Sequence, residues 1–186
     1  MSLHPEWRNP SFPLSSLPTG HPVKRKVFVS YHHELDQFWF FRFTYQFSEQ
    51  LEAFQDQSLD DEVDSEDPTY VNRVIREDYI RGSSCTIVLC GAETWKRRYV
   101  DWEIDSTLHF EHALLGVLVP GTPLGPGQKY WVPARLHDNI QNGYAMWTSW
   151  PSGSEELKIF IEKALGMSRN TYLIQNDRPK MKRNLP

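Results

Sequence analysis

Cysteine is scarce in this chain, and so is any apolar run long enough to matter to a bilayer. Cys85 and Cys90 are the two cysteines in 186 residues. They share one apolar run five positions apart, which turns them to opposite faces of a strand. That placement reads as two reduced core thiols, not a disulfide. No stretch approaches the roughly 20 apolar residues that a membrane-spanning helix needs, and the N-terminus lacks the basic-then-apolar order of a secretory signal. A cytoplasmic location is therefore expected. Charge of one sign is also in short supply: 20 Lys and Arg stand against 24 Asp and Glu, for a formal net charge of −4. Without an overall basic field the chain has little to hold a phosphate backbone, which argues against nucleic acid and leaves small molecules and proteins as partners.

What is present divides unevenly. Residues 1–23 contain five prolines and no periodic apolar pattern, the signature of an extended, disordered leader. Residues 167–186 read as a flexible tail. Between them, residues 24–166 alternate two kinds of pattern. KVFVSY (26–31), CTIVLC (85–90) and ALLGVLV (113–119) are short, nearly continuous apolar runs, with LEAF (51–54) and YAMWTSW (144–150) as weaker strand candidates. Continuous hydrophobicity is what strands need when helices cover both faces of a parallel sheet.

Helical patterns fall between the strands. Residues 36–50 place Phe40, Phe43 and Phe47 on one side, with Phe41 and Tyr45 alongside and Asp36 as a candidate cap. Residues 69–81 place Val71, Val74 and Ile75 together, 94–112 form a third helix, and 154–165 open with Ser then Glu before an apolar stripe. The order implies an α/β, flavodoxin-like three-layer fold with a central parallel sheet and helices on both faces.

Such sheets bind ligands at the carboxyl ends of their strands. The first strand ends in Ser30, Tyr31, His32 and His33, and the third is followed by Gly91, Ala92, Glu93 and Thr94. No glycine-rich phosphate turn follows Ser30, which excludes a dinucleotide or P-loop site. A phosphoacceptor aspartate is likewise missing where Cys90 and Gly91 stand. His109 and His112 share an i, i+3 spacing, but no third ligand stands at convincing spacing, so a solvated or packed pair is the simpler reading and no metal is expected. The stretch DQSLDDEVDSEDP (56–68) holds seven acids yet lacks the central glycine of an EF-hand, and by itself it reads as a solvated mobile loop.

The stretch RRYVDWEIDS (97–106) carries the sharpest signal. At 100° per residue Val100, Ile104 and Leu108 form an aliphatic face for the sheet, while Trp95, Tyr99, Trp102, Ser106 and Phe110 form a second face with Glu103 at its edge. Tyr99 and Glu103 are an i, i+4 pair, so the carboxylate lies beside an aromatic ring. Asp101 and Asp105 fall roughly 160° away and are expected to be inert controls for Glu103, their amide variants staying active. A glutamate that simply faces water is the plainer alternative.

With KVFVSYHH at the first strand, an acidic loop after the second, TIVLCGAETW at the third and RRYVDWEI on the following helix, the sequence resembles the TIR domain. It resembles most the TIR-like branch that includes the TIR subunit of the bacterial Thoeris anti-phage system. In enzymatic members the resemblance implies cleavage of NAD at the nicotinamide–ribose bond, with NAD as substrate and no separate cofactor. The motif's catalytic glutamate falls on Glu103, and the aromatic four residues earlier, usually Trp in the family, is Tyr99. Ser30, Tyr31, His32, His33, Arg98 and Tyr99 are then the expected substrate-binding residues. The resemblance further implies that the acidic loop 56–68 gates the site and mediates assembly, that the protein self-associates through TIR contacts, and that a nucleotide product reaches a separate effector protein. A non-enzymatic adaptor of the same fold is the alternative, since fold alone does not decide activity.

Overall fold

A computed structural model describes residues 24–54 and 77–186, with the backbone alone for 52–54. The expected leader, the acidic stretch 56–68 and most of the helix expected over 69–81 lie outside the described residues; 77–81 are helical. Five strands form one parallel sheet: β1 (Arg25–Ser30), β2 (Leu51–Phe54), β3 (Cys85–Cys90), β4 (Ala113–Leu118) and β5 (Met146–Thr148), in the order β2-β1-β3-β4-β5. The order reverses beside β1, which places a crevice at the carboxyl ends of β1 and β3. The register pairs Ser30 with Val88 and Cys90 with Leu118.

The central strands are buried on both faces, as their unbroken apolar runs require: every residue of β3 is inaccessible to solvent, and so are Ala113 to Val117 of β4. Helices α1 (His33–Gln46) and α4 (Ser154–Met167) cover one face. There Phe40, Phe43, Leu157 and Ile161 pack on Val27, Val29, Ile87 and Leu115. Helices α2 (Arg98–His109) and α3 (Ala134–Gln141) cover the other, where Val100, Ile104, Leu108 and Leu136 pack on Val88, Cys90 and Leu114. Each fully buried aliphatic or Phe side chain stabilises the fold by roughly 1.5–3 kcal/mol. Burial pushes the Cys85 thiol up to about 12, and the Cys90 thiol is raised as well; both cysteines are free, as expected.

Four elements differ from the sequence reading. The helix expected from Asp36 begins three residues earlier, because His32 is its cap: the imidazole Nδ1 accepts from the Leu35 N–H at 3.3 Å. Asp36 is instead buried against the β3 end. The helix expected over 94–112 is broken. Thr94–Lys96 is a 3-10 turn, Arg97 is extended (φ −92°, ψ 119°), and α2 starts at Arg98. Trp95 therefore leaves the Tyr99–Trp102 face and stacks on Trp131 at 4.8 Å. Helix α3 carries only a short apolar pair, Leu136 and Ile140, and two of its three buried residues, Arg135 and Asn139, are polar, so its pattern was easily passed over; Pro133 precedes it and Gly143, at φ +86°, follows it.

The fourth difference is the tail. Past the turn Thr171–Leu173, residues 175–185 run as a strap over α2 and α3, hydrogen-bonded along their length. Gln175 N–H donates to Asn139 Oδ1 (3.0 Å), Trp102 Nε1–H to the Met181 carbonyl (2.9 Å), and Leu185 N–H to the Lys96 carbonyl (2.9 Å). Backbone polar groups satisfied by distant partners give no local sequence pattern, which is why this segment reads as loose.

Candidate functional site

The crevice at the sheet's carboxyl edge contains a cavity of about 210 Å³ lined by Tyr31, His32, His33, Glu34, Arg97, Tyr99, Val100, Glu103 and Asn184. Two elements supply most of it. β1 ends at Ser30 and turns directly into α1, so Tyr31, His32 and His33 sit on the β1–α1 junction. Helix α2 faces them and contributes Tyr99, Val100 and Glu103.

Helix α2 holds its place through two hydroxyls. Thr107 Oγ1 donates to the Glu103 carbonyl (2.7 Å) and lies 2.6 Å from Thr86 Oγ1 on β3, with Thr107 completely buried. The turn that carries Glu103 is thereby pinned to the sheet. Glu103 is only 5% exposed, which removes the reading of a water-facing helix glutamate. Buried carboxylates persist where they are hydrogen-bonded, ion-paired or functional.

Opposite Glu103, His32 is almost fully buried and receives the Arg97 Nε–H at 2.6 Å through its Nε2. A neutral imidazole accepts at one nitrogen only, so the Leu35 and Arg97 contacts are alternatives set by which ring nitrogen carries the proton. Burial, followed by the Arg97 charge, holds the His32 pKa below its ordinary value. Arg97 also donates from Nη2 to Glu34 at 2.9 Å. The cavity mouth therefore carries a fixed Glu34–Arg97–His32 chain whose guanidinium is partly exposed.

Behind this chain a second buried acid has a different role. Thr94 Oγ1 donates to Asp36 Oδ2 (2.8 Å) and receives the Gly91 N–H (2.8 Å), and burial raises the Asp36 pKa. A Cβ at Gly91 would stand 2.2 Å from Asp36 Oδ1, so glycine is required by contact. Asp36 joins the β3 end to α1 and lies outside the cavity lining.

Of the seven residues expected at the site, Tyr31, His32, His33, Tyr99 and Glu103 meet in this one cavity, while Ser30 and Arg98 do not line it. The Ser30 hydroxyl is buried and finds no hydrogen-bond partner among the described residues. Arg98 lies over the Tyr99 and Trp102 rings, its Cζ 4.6 Å and 5.4 Å from their centroids, and donates to the Tyr99 hydroxyl at 2.7 Å. It steadies the aromatic wall from outside. Tyr31 is a wall residue too: it is buried, and its ring already stacks on His33 (4.3 Å) and Phe40 (4.5 Å). Glu34, Arg97 and Asn184 were missed. Arg97 stood in the motif beside Arg98, and the helix break that separates their roles was not visible; Asn184 had no signal at all. Of the histidine pair, His109 is exposed and His112 half-buried, and among the described residues no three candidate ligands cluster to hold a metal ion.

Asp101 and Asp105 correct the sequence reading most. Both are buried, and Arg135, which is fully buried, donates to Asp101 from Nε at 3.0 Å and lies 3.6 Å from Asp105. Asp101 also accepts the Met181 N–H (2.9 Å), and Asp105 pairs with Lys180 (2.6 Å). These acids bind α3 and the strap to α2 and are structural.

Residues 28–123, just over half of the chain, match a protein family described as Thoeris protein ThsB, TIR-like domain. The span runs from within β1 past β4 and includes every cavity residue except Asn184. No curated protein matches the chain.

Proposed function

The chain belongs to the Thoeris ThsB TIR-like domain family, and from that premise we propose that it cleaves the nicotinamide–ribose bond of NAD in the cavity, with Glu103 as the catalytic carboxylate. The observation that carries this reading is the burial of Glu103 in a cavity wall opposite Tyr31, His32 and His33. Glycoside cleavage ordinarily takes two carboxylates because the leaving group must be protonated. Here the bond between ribose C1′ and the pyridinium nitrogen breaks with its electron pair going to nitrogen, so nicotinamide departs neutral and no general acid is needed. Glu103 then stabilises the positive charge that develops on the ribose. Tyr99, braced by Arg98, forms the aromatic side of the nicotinamide site, and Arg97 supplies positive charge at the mouth.

Capture of the oxocarbenium by water yields ADP-ribose and a proton; capture by a nucleophile of the same nucleotide yields a cyclic ADP-ribose-type signal. In this reading the cyclic product activates a separate effector protein in anti-phage defence, in the cytoplasm, and turnover waits on a trigger. Among the described residues no helix is long and apolar enough to cross a membrane. The test is incubation of the purified protein with NAD, with and without infected-cell lysate, followed by mass analysis of the nucleotides. Nicotinamide together with an ADP-ribose-type product is expected; NAD left intact under both conditions removes the reading.

One observation favours a second reading, an adaptor that acts by protein–protein assembly. Leu35, Phe38, Phe41 and Tyr45 form an exposed apolar stripe on α1, a surface suited to self-association. If Phe38→Asp abolishes function while Glu103→Gln preserves it, assembly alone is the activity.

A further inference from the structure

Helix α2 carries Glu103 yet has no cap of its own. Its N-cap residue, Arg97, makes no side-chain cap hydrogen bond, and its side chain is committed to His32 and Glu34. The first backbone N–H of the helix, that of Arg98, is satisfied from 86 residues away: it donates to Asn184 Oδ1 at 3.0 Å. Leu185 N–H donates to the Lys96 carbonyl just before the same helix. Asn184 is also the one cavity-lining residue that lies beyond the span shared with the family.

We propose that the C-terminal strap completes the candidate site, with Asn184 as a positioning residue that caps α2 and so sets where the Glu103 carboxylate stands in the cavity. Helix starts without a side-chain acceptor fray, because their first N–H groups have no intrahelical partner. Glu103 is the sixth residue of α2, in the second turn, close enough that fraying of the first turn shifts it. Among the bonds that hold the strap for this task, Met181 N–H donates to Asp101, Trp102 Nε1–H to the Met181 carbonyl, and Arg135 Nη2–H to the Arg178 carbonyl at 2.9 Å. Asp101 thus ties the capping strap to the helix it caps. The consequence for catalysis rests on the NAD-cleaving reading above.

The experiment compares full-length wild type, Asn184→Ala and Asn184→Asp. The aspartate keeps an acceptor oxygen for the Arg98 N–H, while the alanine removes it. Two readouts are taken: nicotinamide release resolved into kcat and KM, and hydrogen exchange of the amides in the first turn of α2 without nucleotide. In Asn184→Ala those amides should exchange faster and kcat should fall by about tenfold or more, the scale of a misplaced catalytic group, with KM little changed. Asn184→Asp should restore both. Unchanged exchange in Asn184→Ala, or an Asn184→Asp protein as impaired as the alanine variant, overturns the proposal. If exchange responds as expected while wild type itself releases no nicotinamide, the cap stands and the NAD-cleaving reading is what fails.

Discussion

Helix α2 buries three carboxylates, and its two sides treat them differently. Asp101, at 6% exposure, and Asp105, at 9%, face α3 and the strap, where Arg135 and Lys180 meet them. Glu103, at 5%, faces a cavity. Burial alone therefore does not separate a structural acid from a functional one. Cations with matched geometry mark Asp101 and Asp105 as fastenings, whereas the cavity that Glu103 lines, bordered by aromatic and imidazole groups, is room for a ligand. Asp36 adds a third arrangement, a buried acid held by the Thr94 hydroxyl, with a pKa raised by burial.

The largest expected effect breaks the fastened side. Asp101→Ala leaves the Arg135 guanidinium, fully buried, without its closest carboxylate and should cost about 3–5 kcal/mol in urea unfolding. A loss near zero would mean that Asp105 alone satisfies Arg135 and that the two sides of α2 are less distinct than the geometry indicates. Asp101 is for this reason unsuited as an inert control for Glu103.

Next comes the cavity side. Glu103→Gln keeps volume and helix propensity, so unfolding free energy should change by no more than about 1 kcal/mol. Nicotinamide release, measured by chromatography after triggering, should fall by about 10² or more, the scale of losing one preorganised electrostatic contact. A Glu103→Gln protein that is badly unstable yet fully active when folded would make Glu103 another fastening.

Gly91→Ala tests the Asp36 arrangement. Its Cβ would press into the Asp36 carboxylate, with an expected cost of about 1–3 kcal/mol from overpacking. Thermal unfolding would report it, and an unaffected midpoint would show that α1 can shift away from β3.

The smallest effect is a pH slope. The folded His32 pKa lies below its ordinary value of 6.5, first through burial and then through Arg97. The unfolded chain therefore takes up a proton that the folded one refuses, and stability present above pH 6.5 declines as pH falls through that value toward the folded pKa. His112, lowered by burial, contributes with the same sign; Asp36, whose pKa is raised, contributes with the opposite sign at more acid pH. His32→Asn should therefore lose less stability than wild type between about pH 7.5 and about pH 5.5. An identical slope in the two proteins would place the His32 imidazole in water.

The sheet was legible because a parallel sheet covered on both faces needs continuous apolar strands, and KVFVSY, CTIVLC and ALLGVLV say so locally. Glu103 was legible because the i, i+4 spacing to Tyr99 is a property of one helix and matches the motif of the family that the sequence resembles, and the β1 end beside it follows from the α/β order. The helix break at Arg97, the burial of Arg135 and the strap were not legible. Each depends on a partner remote in sequence: Arg97 turns to His32 and Glu34, Arg135 to Asp101 and Asn176, and Asn184 to the Arg98 amide. Local periodicity therefore determined the fold class and the ligand-binding edge, and the resemblance to the TIR motif singled out Glu103 as the candidate acid. Tertiary structure decided which cations meet Asp101 and Asp105, which arginine reaches the cavity and how the helix bearing Glu103 is capped, because ion pairs and caps between distant segments leave no period in the chain.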